Sequence, residues 1–135
     1  MKQKASILSR ITIILAALLF IFLIPVTPIY LGRFSIEDFA SEINNPNFHT
    51  DTQYDSVHDY RAAVKVSKTV IDDHFGPQSS GNDWFMWRSW TVRHDKENDI
   101  WHVSSGIIFP PLMFGGGYDV LIASDGKVIA VWGSK

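Results

Sequence analysis

The sequence predicts an α+β fold: an N-terminal transmembrane helix, then one small exported domain whose helices pack on a curved, four-stranded antiparallel sheet. Three observations carry this reading. Between Arg10 and Arg33 there is no charged residue, and 17 of those 22 positions are apolar. From Val57 to His74 apolar residues recur at three- and four-residue steps, as on one face of a helix. From Asp83 the period changes to two, and polar or Gly-containing turns separate the later runs.

The head comes first. Residues 11–24 contain eleven Ile, Leu or Phe side chains, and at roughly −0.3 to −0.6 kcal/mol each their insertion into a bilayer sums to about −3 to −6 kcal/mol. A helix over residues 11–32 would be ~33 Å long, against a hydrocarbon core of ~30 Å. Pro25 and Pro28 mark its distal end, and Tyr30 is expected at the interface. A cleaved secretory signal is the alternative. Against it, the apolar stretch is long, and Pro25, Thr27, Ile29 and Tyr30 stand where a small-x-small cleavage site belongs. Residues 1–32 are therefore expected to form a cytoplasmic head and an uncleaved signal anchor, and residues 33–135 the exported domain. Lys2, Lys4 and Arg10 hold the N-terminus in the cytoplasm. The result is a single-pass protein of the cell inner membrane, with its domain periplasmic or, in a one-membrane cell, extracellular.

Within the domain, Ser35 is expected to cap a short amphipathic helix that buries Ile36, Phe39, Ala40 and Ile43 and ends at Asn44-Asn45-Pro46-Asn47. Ser56, with Asp59 at N3, caps a longer helix that stops at Gly76-Pro77. The first strand runs from Asp83, with Trp84, Met86, Arg88, Trp90 and Val92 on one face and Phe85, Trp87, Ser89, Thr91 and Arg93 on the other. Residues 95–99 are a polar turn into a strand over 100–105. An irregular apolar connection over 106–117 leads to strands over 118–123 and 127–132, joined by Ser124-Asp125-Gly126.

Composition removes several function classes. The 135-residue chain has no cysteine, which excludes a disulfide framework, a thiolate metal site and a lipidated cysteine anchor. Residues 33–135 carry nine basic against fourteen acidic side chains, so the domain has no basic face for nucleic acid.

From about Ala62 to Lys135 the chain resembles the bacterial NTF2-fold immunity proteins. The elements that carry the resemblance are Phe75-Gly76 at a helix end, Trp101-His102-Val103 in a strand, and Gly116-Gly117-Tyr118 before a strand. Asp125-Gly126-Lys127-Val128 and a closing Gly133-Ser134-Lys135 complete it. The resemblance implies an NTF2-like domain and a binding protein. Such a protein neutralises a toxin used in competition between bacteria, by occlusion and without turnover. An anchored accessory domain of an envelope or secretion assembly, using the same sheet for protein contacts, is the alternative.

The NTF2-like fold also hosts enzymes that use an Asp/His pair, so the histidines need individual weighing. His74 follows Asp72-Asp73 in a last helical turn, where a histidine suits the helix dipole. His94 lies at a turn, and His102 alternates with Trp101 and Val103 and is expected to face solvent or a shallow cleft. His49-Thr50-Asp51 and His58-Asp59 match no metal-ligand spacing. Gly115-Gly116-Gly117 leads into a strand, so it is not a phosphate cradle. No catalytic residue, cofactor or metal is expected. Arg88 stands mid-strand on an apolar face, where it needs a carboxylate such as Asp72 or Asp73, or an acidic ligand. Phe85 and Trp87 lie opposite the Trp84–Trp90 face, and a single-layer sheet is not expected to bury both. Phe85, Trp87, Arg88 and His102 are therefore the candidate contacts with a protein partner.

Overall fold

A computed structural model describes residues 2–23, 28–77, 79–81, 88–107 and 117–134. Helix α1 (Lys2–Leu23) is followed by strand β1 (Ile29–Arg33), a 3-10 turn (Ile36–Phe39), the one-turn helix α2 (Ala40–Ile43) and a second 3-10 turn (Pro46–Phe48). Helix α3 (Tyr60–Phe75) precedes strands β2 (Arg88–Asp95), β3 (Ile100–Ile107), β4 (Tyr118–Ala123) and β5 (Val128–Gly133). The expected α+β class is what the chain adopts.

The sheet has five strands in the order β1-β2-β3-β4-β5, not four. β2 to β5 form the expected antiparallel meander, but β1 pairs parallel to β2, so the sheet is mixed. Residues 29–32, expected as the end of the membrane helix, are therefore strand. The reason is nonlocal: β2 offers a free edge, and the Ile29–Arg33 backbone finds its hydrogen-bond partners there. The pairing bulges between Tyr30 and Gly32, at Leu31.

Residues 2–20 of α1 take no part in the core. Every described side chain from Lys2 to Phe20 is exposed, and residues Lys2–Phe20 make a helix long and apolar enough to cross a membrane.

α3 follows the expected periodicity, burying Ala63, Val64, Val66, Ser67, Val70 and Ile71 against the sheet. Its start differs from expectation. Asp59, not Ser56, is the N-cap, and its carboxylate accepts from the Ala62 N–H at 2.8 Å. Ser56 cannot serve because the chain there is held extended: the Val57 N–H donates to the Ser124 carbonyl at 2.8 Å and the Val57 side chain is buried.

Each sheet face carries its own core. On one, Trp90, Val92, Trp101, Val103, Val120, Ile122 and Val131 meet the inner side of α3. On the other, Ile100, Leu121, Ala130 and Trp132 are covered by Phe34, Ile36, Phe39, Ile43 and Phe48. The two predicted helices thus lie on opposite sides of the sheet, giving three layers. This overturns the expectation that a single-layer sheet leaves one face bare.

Ser35 also makes no capping bond. The first turn is capped from far along the chain, where the Asp95 carboxylate accepts from the Ile36 N–H at 3.2 Å. The same carboxylate accepts from the side-chain amide of Asn98 and from the Glu97 and Asn98 N–H groups. Asn98's side chain, then the N–H groups of Asn98, Ile36 and Glu97, hold this carboxyl below its ordinary range against an opposing effect of burial. A carboxyl lowered in the folded state adds stability that is complete above its unfolded value of ~3.9 and is lost as pH falls through the lower folded value. Asp95→Asn should therefore make urea stability less dependent on pH below about 4. An unchanged acid limb would assign that dependence to other carboxylates.

Candidate functional site

Three regions hold the chemistry-bearing side chains, and two of the five histidines, His102 and His94, lie in two of them. The first is a buried pair. His102 and Asp119 lie diagonally on β3 and β4, since His102 pairs with Leu121 and Ser104 with Asp119. His102 Nε2 is 2.8 Å from Asp119 Oδ1, and both side chains are nearly sealed. The Phe39 ring centroid lies 4.5 Å from that of His102, Phe34 follows at 5.7 Å, and the Trp132 ring is parallel to it within 6°. His102 does alternate with Trp101 and Val103, as expected. However, the face it points to is the second core, so it is not a surface contact. Asp119 escaped the sequence reading. Its only signal was a polar residue in register with Leu121 and Trp132 on a face otherwise apolar.

What can such a pair do? The imidazole and carboxylate satisfy one another beneath aromatic rings, which keeps a polar pair tolerable at that depth. Two clefts, of about 250 and about 350 Å³, are lined by other residues and neither includes His102 or Asp119. Among the described residues no group of three His, Asp or Glu side chains is arranged to hold a metal ion.

The second region is the polar end of the sheet. His94 Nε2 lies 3.0 Å from Asp99 Oδ1, and the Ser124 hydroxyl donates to the same oxygen at 2.7 Å. Trp101 Nε1 donates to Ser124 Oγ at 3.1 Å, and the His94 ring stacks on Trp101 at 3.9 Å. Ser124 first and His94 second hold the Asp99 carboxyl below its ordinary range. The carboxylate sits between the serine and the histidine. The Ser124 hydroxyl donates to the carboxylate and not to the imidazole, and the arrangement ties two turns together. Asp99 itself adopts a φ of 54° in its turn.

The third region, at β1 and β2, is the part of the sheet that the described residues leave uncovered. Ile29, Tyr30 and Leu31 are 52%, 43% and 51% exposed. On β2, Arg93 is exposed while Ser89 and Thr91 are half-buried, on the side opposite buried Trp90 and Val92. Segment 34–48 covers the second face over β3 to β5 and leaves it open here.

Of the predicted partner contacts, Phe85 and Trp87 lie outside the described residues, as do Trp84 and Met86. Arg88 opens β2 opposite Ile107, in the same alternation as Trp90. Of the carboxylates suggested for it, Asp72 accepts from the Ser80 N–H and hydroxyl, and Asp73 from the Tyr54 hydroxyl. The resemblance residues fall at structural junctions. Phe75 ends α3 with its ring 4.6 Å from Tyr118, and Gly76 is the C-cap at φ 115°. Trp101 and Val103 are core. Gly117 lies so close to β3 that an added Cβ would sit 1.6 Å from the Ser105 carbonyl oxygen. Asp125, Gly126 and Lys127 make the β4–β5 turn, where the Lys127 N–H donates to Asp125 Oδ1, and Gly133 ends β5. Gly115, Gly116 and Lys135 lie outside the described residues. Comparison of the chain with protein-family models, with curated proteins and with solved structures finds no match.

Proposed function

We propose that this protein is a membrane-anchored immunity protein that binds a protein toxin outside the cytoplasm and blocks it by occlusion. The observation that carries the reading is the combination of an apolar helix exposed over residues 2–20 with a domain whose two cores are built from other described residues. Such a helix has no protein partner among the described residues, and a bilayer is the solvent that suits it. The resemblance from Ala62 to Lys135 supplies the toxin-binding part of the proposal. Support for a protein contact comes from the open second face at β1–β2, the side on which the sequence alternation puts Phe85 and Trp87. The buried His102 is no longer among the contacts, whereas Arg88 remains one.

The test starts from the genes beside this one: a secreted toxin encoded there is used to challenge the cell envelope, and protection is scored. The full chain should protect. A chain lacking residues 2–23 should not, and a cleavable signal fused before Pro28 should restore protection. The cut belongs before Ile29 because β1 is part of the sheet. Trp87→Ala should weaken toxin binding by roughly 2 kcal/mol, about thirtyfold, as for an aromatic hot spot. Undiminished binding by Trp87→Ala would remove this face as the contact, and undiminished binding by Arg88→Ala would remove Arg88, which the sequence alternation puts on the opposite side. Protection by the cytoplasmic truncation would remove the location.

A further inference from the structure

We propose that β1, an edge of the sheet among the described residues, rests in the lipid headgroup layer of the membrane that α1 crosses, with Ile29, Tyr30 and Leu31 as its lipid contacts. The inference rests on the anchor reading of α1.

Covalent reach brings β1 to the membrane. Ile29 lies six residue steps after Leu23, and at about 3.3–3.6 Å each these steps span ~20 Å at most. Charge then sets the depth. With Arg10 at the cytoplasmic interface, the helix from Ile11 to Leu23 covers about 20 Å of a ~30 Å hydrocarbon core. The rest of the crossing falls to the residues after Leu23, and no charge occurs before Arg33. With Lys4 at that interface instead, α1 ends at the far boundary and β1 begins within ~20 Å of it.

The character of the strand then selects the headgroup layer. An apolar edge strand open to water invites pairing with another chain. In the hydrocarbon core its unpaired N–H and C=O groups would have no partners. Among headgroups, phosphates and water satisfy the backbone while Ile29 and Leu31 reach toward the acyl chains. Tyr30 is a residue type enriched at that level. Arg33, exposed at the end of β1, borders a polar cleft that also holds Lys96 and the carboxylates of Glu37, Asp95 and Glu97. The opposite edge shows the contrast: Val128, Ala130, Val131 and Trp132 of β5 are already buried within the domain.

The absence of cysteine makes the test clean, because each introduced thiol is unique. Ile29→Cys, Leu31→Cys, Leu15→Cys in α1 and Thr69→Cys on the exposed side of α3 are each labelled with an environment-sensitive dye. The full chain is reconstituted in phosphatidylcholine vesicles carrying nitroxide either on the headgroup or deep in the acyl chain. Labels at 29 and 31 should be quenched severalfold more by headgroup nitroxide than the label at 69. Equal quenching at 29, 31 and 69, with residue 15 quenched by the deep nitroxide, overturns the proposal and leaves the anchor standing. No quenching at residue 15 fells both. Self-quenching between copies labelled at 29 or 31, without response to nitroxide, assigns the edge to pairing of two chains and likewise overturns the proposal.

Discussion

Gly126→Ala should lower the stability of the domain by about 3 kcal/mol or more, from two causes acting at once. Gly126 has a φ of 90°, a conformation that a side chain strains. An added Cβ would also sit 2.1 Å from the Tyr54 carbonyl oxygen and 2.7 Å from that of Asp55, so backbone must move. That backbone docks the approach to α3 on the β4–β5 turn. The Tyr54 N–H donates to the Gly126 carbonyl at 3.1 Å, the Val57 N–H donates to Ser124, and Gln53 bridges to Lys127. Urea unfolding of the full chain followed by tryptophan fluorescence gives the magnitude. Gly133→Ala is the control, because its Cβ would meet nothing nearer than 3.9 Å and its φ is ordinary; it should shift stability by about 0.5 kcal/mol or less. Amide exchange at Tyr54 and Val57 should accelerate in Gly126→Ala and stay unchanged in the control. Equal stability of the two variants would mean that segment 53–57 is not held by this turn.

Asp119→Ala should cost about 3 kcal/mol, because it removes one partner of a buried polar pair and leaves the His102 imidazole under Phe34 and Phe39 without an acceptor. Asp119→Asn keeps an oxygen that can accept from Nε2–H, so it should lose less than half as much. The double variant His102→Phe/Asp119→Ala should be more stable than Asp119→Ala alone, since it deletes the stranded group and refills the space with a ring. The same urea experiment measures all three. Additive losses would show that the two side chains do not depend on one another.

Elements with local causes were readable in the chain. α3 announces itself by its period and by Gly76, and the β4–β5 hairpin by Ser124-Asp125-Gly126; the structure has β4 at the expected residues and β5 one residue later than expected. Elements with distant causes were not. β1 reads as membrane helix because its composition continues the apolar run, and its strand state depends on an edge offered by residues 91–94. The start of the first 3-10 turn depends on Asp95, 59 residues away.

The candidate site divides in the same way. Alternation put Arg88 on the Trp90 face of β2, and the strand starts at Arg88, paired with Ile107. It equally put His102 opposite Trp101 and Val103, but alternation names only the side, not what covers it. Segment 34–48 folds over that side and makes His102 a core residue paired with Asp119. The sequence alone determined the α+β class, the apolar helix at the head, the face of α3 and the antiparallel meander, because period, caps and turn residues act over a few positions. The fifth strand, the second core, the distant cap and the buried His–Asp pair were decided by tertiary structure, because each unites groups that only packing brings within a hydrogen bond or van der Waals contact.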